Sequence, residues 1–135
     1  MGVFRLGVAA LTVLGLAGCT APSQPVSVGR AAFTENCSSC HGAQGRGDGP
    51  MSVFVSTGVP NLRQLRQRSG GEFPKTYVIE VVTRISDLHD DIVAMPDFGT
   101  LLGASPTVYM AADGQRIKTD STILAIVDYL ESVQD

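Results

Sequence analysis

Cys37-Ser38-Ser39-Cys40-His41 sets two thiols three positions apart with an imidazole immediately after them. Residues at that spacing are neighbours on one side of a helical turn. The chemistry this suits is covalent attachment of a haem: the thiols take up its two vinyl groups, and His41 supplies an axial nitrogen to the iron. Plainer uses of a C-x-x-C pair fit less well. A thioredoxin-type redox site belongs at a strand-to-helix junction in a βαβ unit, and no strand-like run precedes Cys37. A structural zinc site draws four nitrogen or sulfur ligands. Beyond these three residues the chain has only His89 and the distant Cys19, and neither forms a second ligand pair. A disulfide between Cys37 and Cys40 would close a tiny loop and stabilise little.

The N-terminus bears on the compartment. Residues 1–18 carry one charge, Arg5, followed by an apolar run from Leu6 to Ala17. That is the make-up of a cleaved signal peptide, and the run is short for a membrane span. It ends Leu16-Ala17-Gly18-Cys19, which resembles the lipobox of bacterial lipoproteins. The resemblance implies cleavage before Cys19, lipidation of Cys19, and a protein anchored in the cell envelope facing the periplasm. The three cysteines are then all assigned: Cys19 to lipid, Cys37 and Cys40 to the cofactor. Residues 19–27 read as a short polar tether, with Pro22 and Pro25 as its stiff points. Residues 28–135 are of ordinary size for one domain. The balance of charge is mildly acidic, ten Lys and Arg against thirteen Asp and Glu, which argues against nucleic-acid binding.

The elements that would position the motif read mostly as helices. Val28 to Cys37 follows Ser27 as an N-cap candidate and leads straight into the thiols. Pro74 suits the first position of a helix reaching about Ile85, with Val78, Val81, Val82 and Ile85 recurring at helical spacing. Asp120 or Thr119 can cap a last helix carrying Ile123, Ile126, Val127 and Leu130 on one face. Pro60 to Gln67 reads as a short helix ending before Gly70-Gly71. Thr107 to Met110 and Gln115 to Lys118 flank Asp113-Gly114, a β-hairpin signal near residues 107–118. The fold class expected is therefore all-α with one small hairpin, either a flap over the site or surface decoration.

From Val28 to Asp135 these residues resemble the class I cytochromes c, the bacterial monohaem family. Gly29 and Phe33 precede the haem motif as in that family's first helix, and Tyr129-Leu130 resembles the aromatic-aliphatic pair of its last. The resemblance implies that these two helices cross closely and that the helices wrap one covalent haem c. Gly45, Gly47, Gly49 and Pro50 resemble the family's glycine-rich loop, whose proline carbonyl orients the proximal His; Pro50 is the candidate. Met95, in Met95-Pro96-Asp97-Phe98, matches the family's distal methionine and would fill the second axial position opposite His41. His89, Met51 and Met110 are rivals for that place. The chain has no tryptophan, so Arg46, Arg63, Arg66 and Tyr77 stand as candidates to hold a haem propionate.

The resemblance implies an electron-transfer protein, not itself a catalyst on a substrate. It would be a membrane-tethered monomer in transient contact with redox proteins, cycling between ferrous and ferric iron. Two other functions stay open at this point: a subunit of a larger oxidoreductase, and a haem enzyme or gas sensor with a labile distal ligand. Arg63, Arg66, Arg68 and Lys75 cluster along the sequence, as do Asp87, Asp90, Asp91 and Asp97. Such fields can steer partners but equally make an ordinary solvated surface.

Overall fold

The computed structural model describes residues 24–83 and 95–135. The expected leader, the candidate lipid-bearing Cys19 and His89 lie outside the described residues. The first helix, α1, spans Gln24–Asn36. It begins before the expected Val28, so Ser27 lies inside the helix and does not cap it. Pro25 falls in the first turn, where its missing N–H leaves no helical bond unmade. Helical bonding carries through the motif: Cys37 N–H donates to Phe33 O at 2.9 Å, and His41 N–H donates to Cys37 O at 2.9 Å. The short α2, Ser38–His41, thus follows α1 almost without a break.

A 3-10 turn at Ser52–Phe54 and another at Leu62–Gln64 follow, the second running into α3, Leu65–Arg68. Asn61 caps that second turn by accepting from Arg63 N–H at 3.0 Å. α4 spans Lys75–Thr83, starting one residue after Pro74, whose carbonyl accepts from Val78 N–H at 3.0 Å. The remainder of the expected helix, to Ile85, lies outside the described residues. α5 is a single turn, Phe98–Leu101, capped by Asp97 through Thr100 N–H at 3.3 Å and the Thr100 hydroxyl at 2.8 Å.

The expected hairpin is present as an antiparallel pair, β1 Pro106–Met110 and β2 Arg116–Asp120. Its register sets Val108 opposite Lys118 and Met110 opposite Arg116. Asp120 ends β2 and starts the last helix, α6, Ser121–Ser132. Its buried carboxylate accepts from Thr122 N–H at 2.7 Å, as an N-cap does, and from Ser105 N–H at 2.6 Å. One side chain therefore caps the helix and pins the entry to the hairpin. Ile117 of β2 is buried in the common core. The protein is mostly helical with this one small sheet, and no helix among the described residues is long and apolar enough to cross a membrane.

The core centres on the crossing of α1 and α6. Gly29 is buried, and a Cβ there would overlap the Ala125 carbonyl of α6. The helices therefore approach backbone to backbone, as a glycine permits. Beside that point Phe33 and Tyr129 stack with ring centroids 5.4 Å apart at 51°, a tilted arrangement favoured between aromatic rings. α4 lies against α6 through Val78, Ile79 and Val82. Lys75 ties the two helices at their edge, 2.6 Å from Asp128 and 3.2 Å from Glu131.

Gly29→Val is expected to lower stability by about 1–3 kcal/mol, the usual penalty for overpacking a close contact. Thermal denaturation checks this, and an unchanged midpoint would show that the helices can part without loss. Lys75 yields a pH signature. Burial alone would lower its pKa, but the bonds to Asp128 and Glu131 outweigh it and leave the value above the ordinary 10.5. A raised lysine pKa contributes stability below the unfolded value and loses it as pH rises through the folded one. The stability gap between wild type and Lys75→Met should therefore hold steady from neutral pH up to 10.5 and close above it. A gap that persists in alkali would contradict the pairing.

Candidate functional site

A cavity of about 470 Å³ opens among α1, α2, α4, α6 and the loops around residues 55–60 and 95–98. That lies within the roughly 300–1,000 Å³ of typical cofactor pockets. Its walls are largely apolar, with Phe33, Leu65, Val78, Val82, Phe98 and Ile126 among them. Cys37, Cys40 and His41 line it from α2 and its entry, and Met95 and Pro96 line it from a separate segment. The motif and the expected distal methionine, far apart in sequence, thus share one apolar chamber.

The loop after α2 folds back onto that helix. Gly47 N–H donates to His41 O at 2.8 Å, Gly49 N–H to Cys40 O at 3.1 Å, and Met51 N–H to Ser39 O at 2.8 Å. This path leaves Pro50 exposed and brings the following segment against the loop. A Cβ on Gly47, whose φ is +82°, would overlap the Val59 carbonyl. The carbonyl that faces His41 therefore belongs to Pro60, which lies 3.4 Å from His41 Nδ1. This corrects the expectation of Pro50: the loop turns Pro50 outward along the α2 carbonyls and presents the next proline to the ring. A carbonyl can only accept, so the bond requires the proton on Nδ1 and leaves the Nε2 lone pair for a metal. Burial lowers the His41 pKa below the ordinary 6.5, with the Pro60 carbonyl pulling the other way. A lowered value favours the neutral ring, the form that ligates metals.

Cys37 and Cys40 are both half-buried and not joined to each other. Burial, with a smaller push from Cys40, drives the Cys37 thiol up to about 11. A disulfide exchanger needs an accessible thiolate of lowered pKa, so the environment opposes the thioredoxin reading. No group of three His, Cys, Asp or Glu side chains among the described residues is placed to hold a bare metal ion. An apolar chamber with two adjacent thiols, one neutral imidazole and one thioether fits a haem.

Met95 is half-buried and packs against the core. The Asp97 cap and the buried Phe98 anchor the stretch that carries it. Of its rivals, Met51 and Met110 are 47% and 55% exposed and neither lines the cavity; His89 lies outside the described residues. Among the expected propionate partners only Tyr77 lines the chamber. Arg63 pairs instead with Asp135 at 2.7 Å, and Arg46 Nε donates to Gln44 Oε1 at 3.3 Å. Arg68 and Ser69, which the sequence did not single out for this role, line the cavity, and Arg68 is braced by donating to Asn61 O at 2.8 Å. The hairpin contributes no lining residue; it packs on α6, which favours a structural part over a flap.

The family model for cytochrome c matches residues 26–134. No curated protein and no solved structure matches the chain. The matched region takes in the close crossing of α1 and α6, the C-x-x-C-H motif and Met95. Cytochrome c domains carry electrons on covalently attached haem and are generally extracytoplasmic. With its helical fold, its apolar chamber and a match over most of its length, this chain belongs to the cytochrome c family.

Proposed function

We propose that the protein is a lipid-anchored, periplasm-facing one-electron carrier of class I type, with one haem held by Cys37 and Cys40 and ligated by His41 and Met95. The observation that carries this reading is the convergence of both thiols, the imidazole and the Met95 thioether on one apolar cavity. The haem supplies exchange of a single electron between ferrous and ferric iron. Cys37 and Cys40 would tether it, and His41, held by the Pro60 carbonyl, would ligate the iron. The Met95 thioether, a soft donor, would ligate the iron as well, favour its reduced state and keep outside ligands away. The apolar walls would keep water from the iron. A closed site suits electron transfer over catalysis or gas binding.

Beside the cavity the chain carries no charge between Asp48 and Arg63. Val53 and Phe54 are 79% and 76% exposed there. That rim suits short-lived contacts with other redox proteins, for which the chain acts as a monomer. Lipid on Cys19 would confine the search for such partners to the membrane surface and raise their effective concentration.

Met95→Ala should abolish the near-infrared charge-transfer band of a thioether bound to ferric iron and open the ferrous protein to carbon monoxide. Unmutated protein that already binds carbon monoxide readily would favour an open-site enzyme or sensor. Cys19→Ser should move the protein from the membrane fraction to the soluble periplasmic fraction, and unchanged membrane association would refute the lipid anchor.

A further inference from the structure

Gln134 and Asp135, just past α6, hold the segment that follows the Pro60 carbonyl. Both ends of the Gln134 amide are engaged: Nε2 donates to Leu62 O at 2.9 Å and to Leu130 O at 2.7 Å, and Oε1 accepts from Arg66 N–H at 2.9 Å. Two carbonyls at one end and an N–H at the other fix which end is nitrogen. Leu62 O and Arg66 N–H are the pair that an unbroken α-helix would join. Here they flank the junction between the Leu62–Gln64 turn and α3, and one side chain bonds both. Asp135 adds its N–H to Arg63 O at 2.9 Å, and its Oδ1 accepts from Arg63 Nε at 2.9 Å and Nη2 at 2.7 Å. From the other side Leu62 N–H donates to Gly45 O at 2.7 Å, in the same loop whose Gly47 N–H bonds His41 O. Leu62 is thus tied at both backbone groups, two positions beyond Pro60.

We propose that Gln134 is a positioning residue for the axial imidazole. By anchoring Leu62 and Arg66 to the end of α6, it sets where the Pro60 carbonyl stands against His41 Nδ1. The proposal rests on the reading of His41 as an iron ligand. The Arg63–Asp135 pair is exposed and adds little by itself, so the weight falls on the uncharged amide. An Nδ1–H held by a carbonyl makes the imidazole a stronger donor to the metal. A stronger donor favours the ferric state, so slack in the anchor raises the midpoint potential.

Gln134→Met keeps bulk and charge while removing all three side-chain bonds. In the holoprotein it should raise the midpoint potential. It should also speed exchange of the His41 Nδ1 proton, followed by NMR in the ferrous state, by up to roughly tenfold, as losing about one net hydrogen bond would. Lys75→Met, which loosens α4 on α6 without touching residues 60–66, should lower thermal stability and leave both readouts at wild-type values. If Gln134→Met does not fold, Gln134→Asn supplies the same readouts, because its shorter amide cannot reach Leu62 O and Arg66 N–H together. Either variant with reduced thermal stability but unchanged potential and exchange would overturn the positioning role. A wild-type protein without the spectrum of covalent haem would instead overturn the ligand reading beneath it.

Discussion

The backbone-to-backbone approach of Gly29 of α1 to the Ala125 carbonyl of α6 is the constraint from which the rest of the arrangement follows. α1 leads directly into the two thiols and His41, so fixing α1 on α6 fixes one wall of the cavity. The same contact brings Phe33 against Tyr129 and leaves Ile126 and Leu130 of α6 to line the chamber. α4 then completes the enclosure, because its apolar face packs on α6 and presents Val78 and Val82 to the same space. A side chain at position 29 would part the helices at the point where the cavity takes its shape.

A second layer of order lies in the backbone around His41. The glycine-rich loop is stitched to the α2 carbonyls, and Leu62 is stitched to that loop and to the end of α6. The imidazole is therefore oriented by main chain drawn from three stretches of sequence. Such an arrangement is rigid without needing charge, which suits a group whose protonation must not change during an electron transfer.

Much of this was readable in the residues because it depends on short-range rules. Asp120 before an apolar-periodic run marked the start of α6, Asp113-Gly114 between two alternating runs marked the hairpin, and the thiol spacing marked the site. Gly29 and the Phe33–Tyr129 pair were legible through resemblance, since nothing local says that a glycine in a helix faces another backbone. What was not legible depends on chain path. Pro50 and Pro60 both follow His41 in a glycine-rich stretch, and only the fold of the loop decides which carbonyl meets the ring. The Arg63–Asp135 pair joins positions 72 residues apart, and no local pattern announces it. α1 starts ahead of Val28 because proline suits the first turn of a helix as well as a tether, and Pro25 takes the helical place.

The proposed function requires that His41 and Met95 close one haem on both faces. Near-infrared magnetic circular dichroism of the ferric holoprotein tests it most directly, because histidine-methionine and bis-histidine iron give separate charge-transfer bands. The histidine-methionine band is expected in the wild-type protein. A bis-histidine band would contradict it and move the second ligand to His89, and a high-spin spectrum would contradict it by leaving that position open.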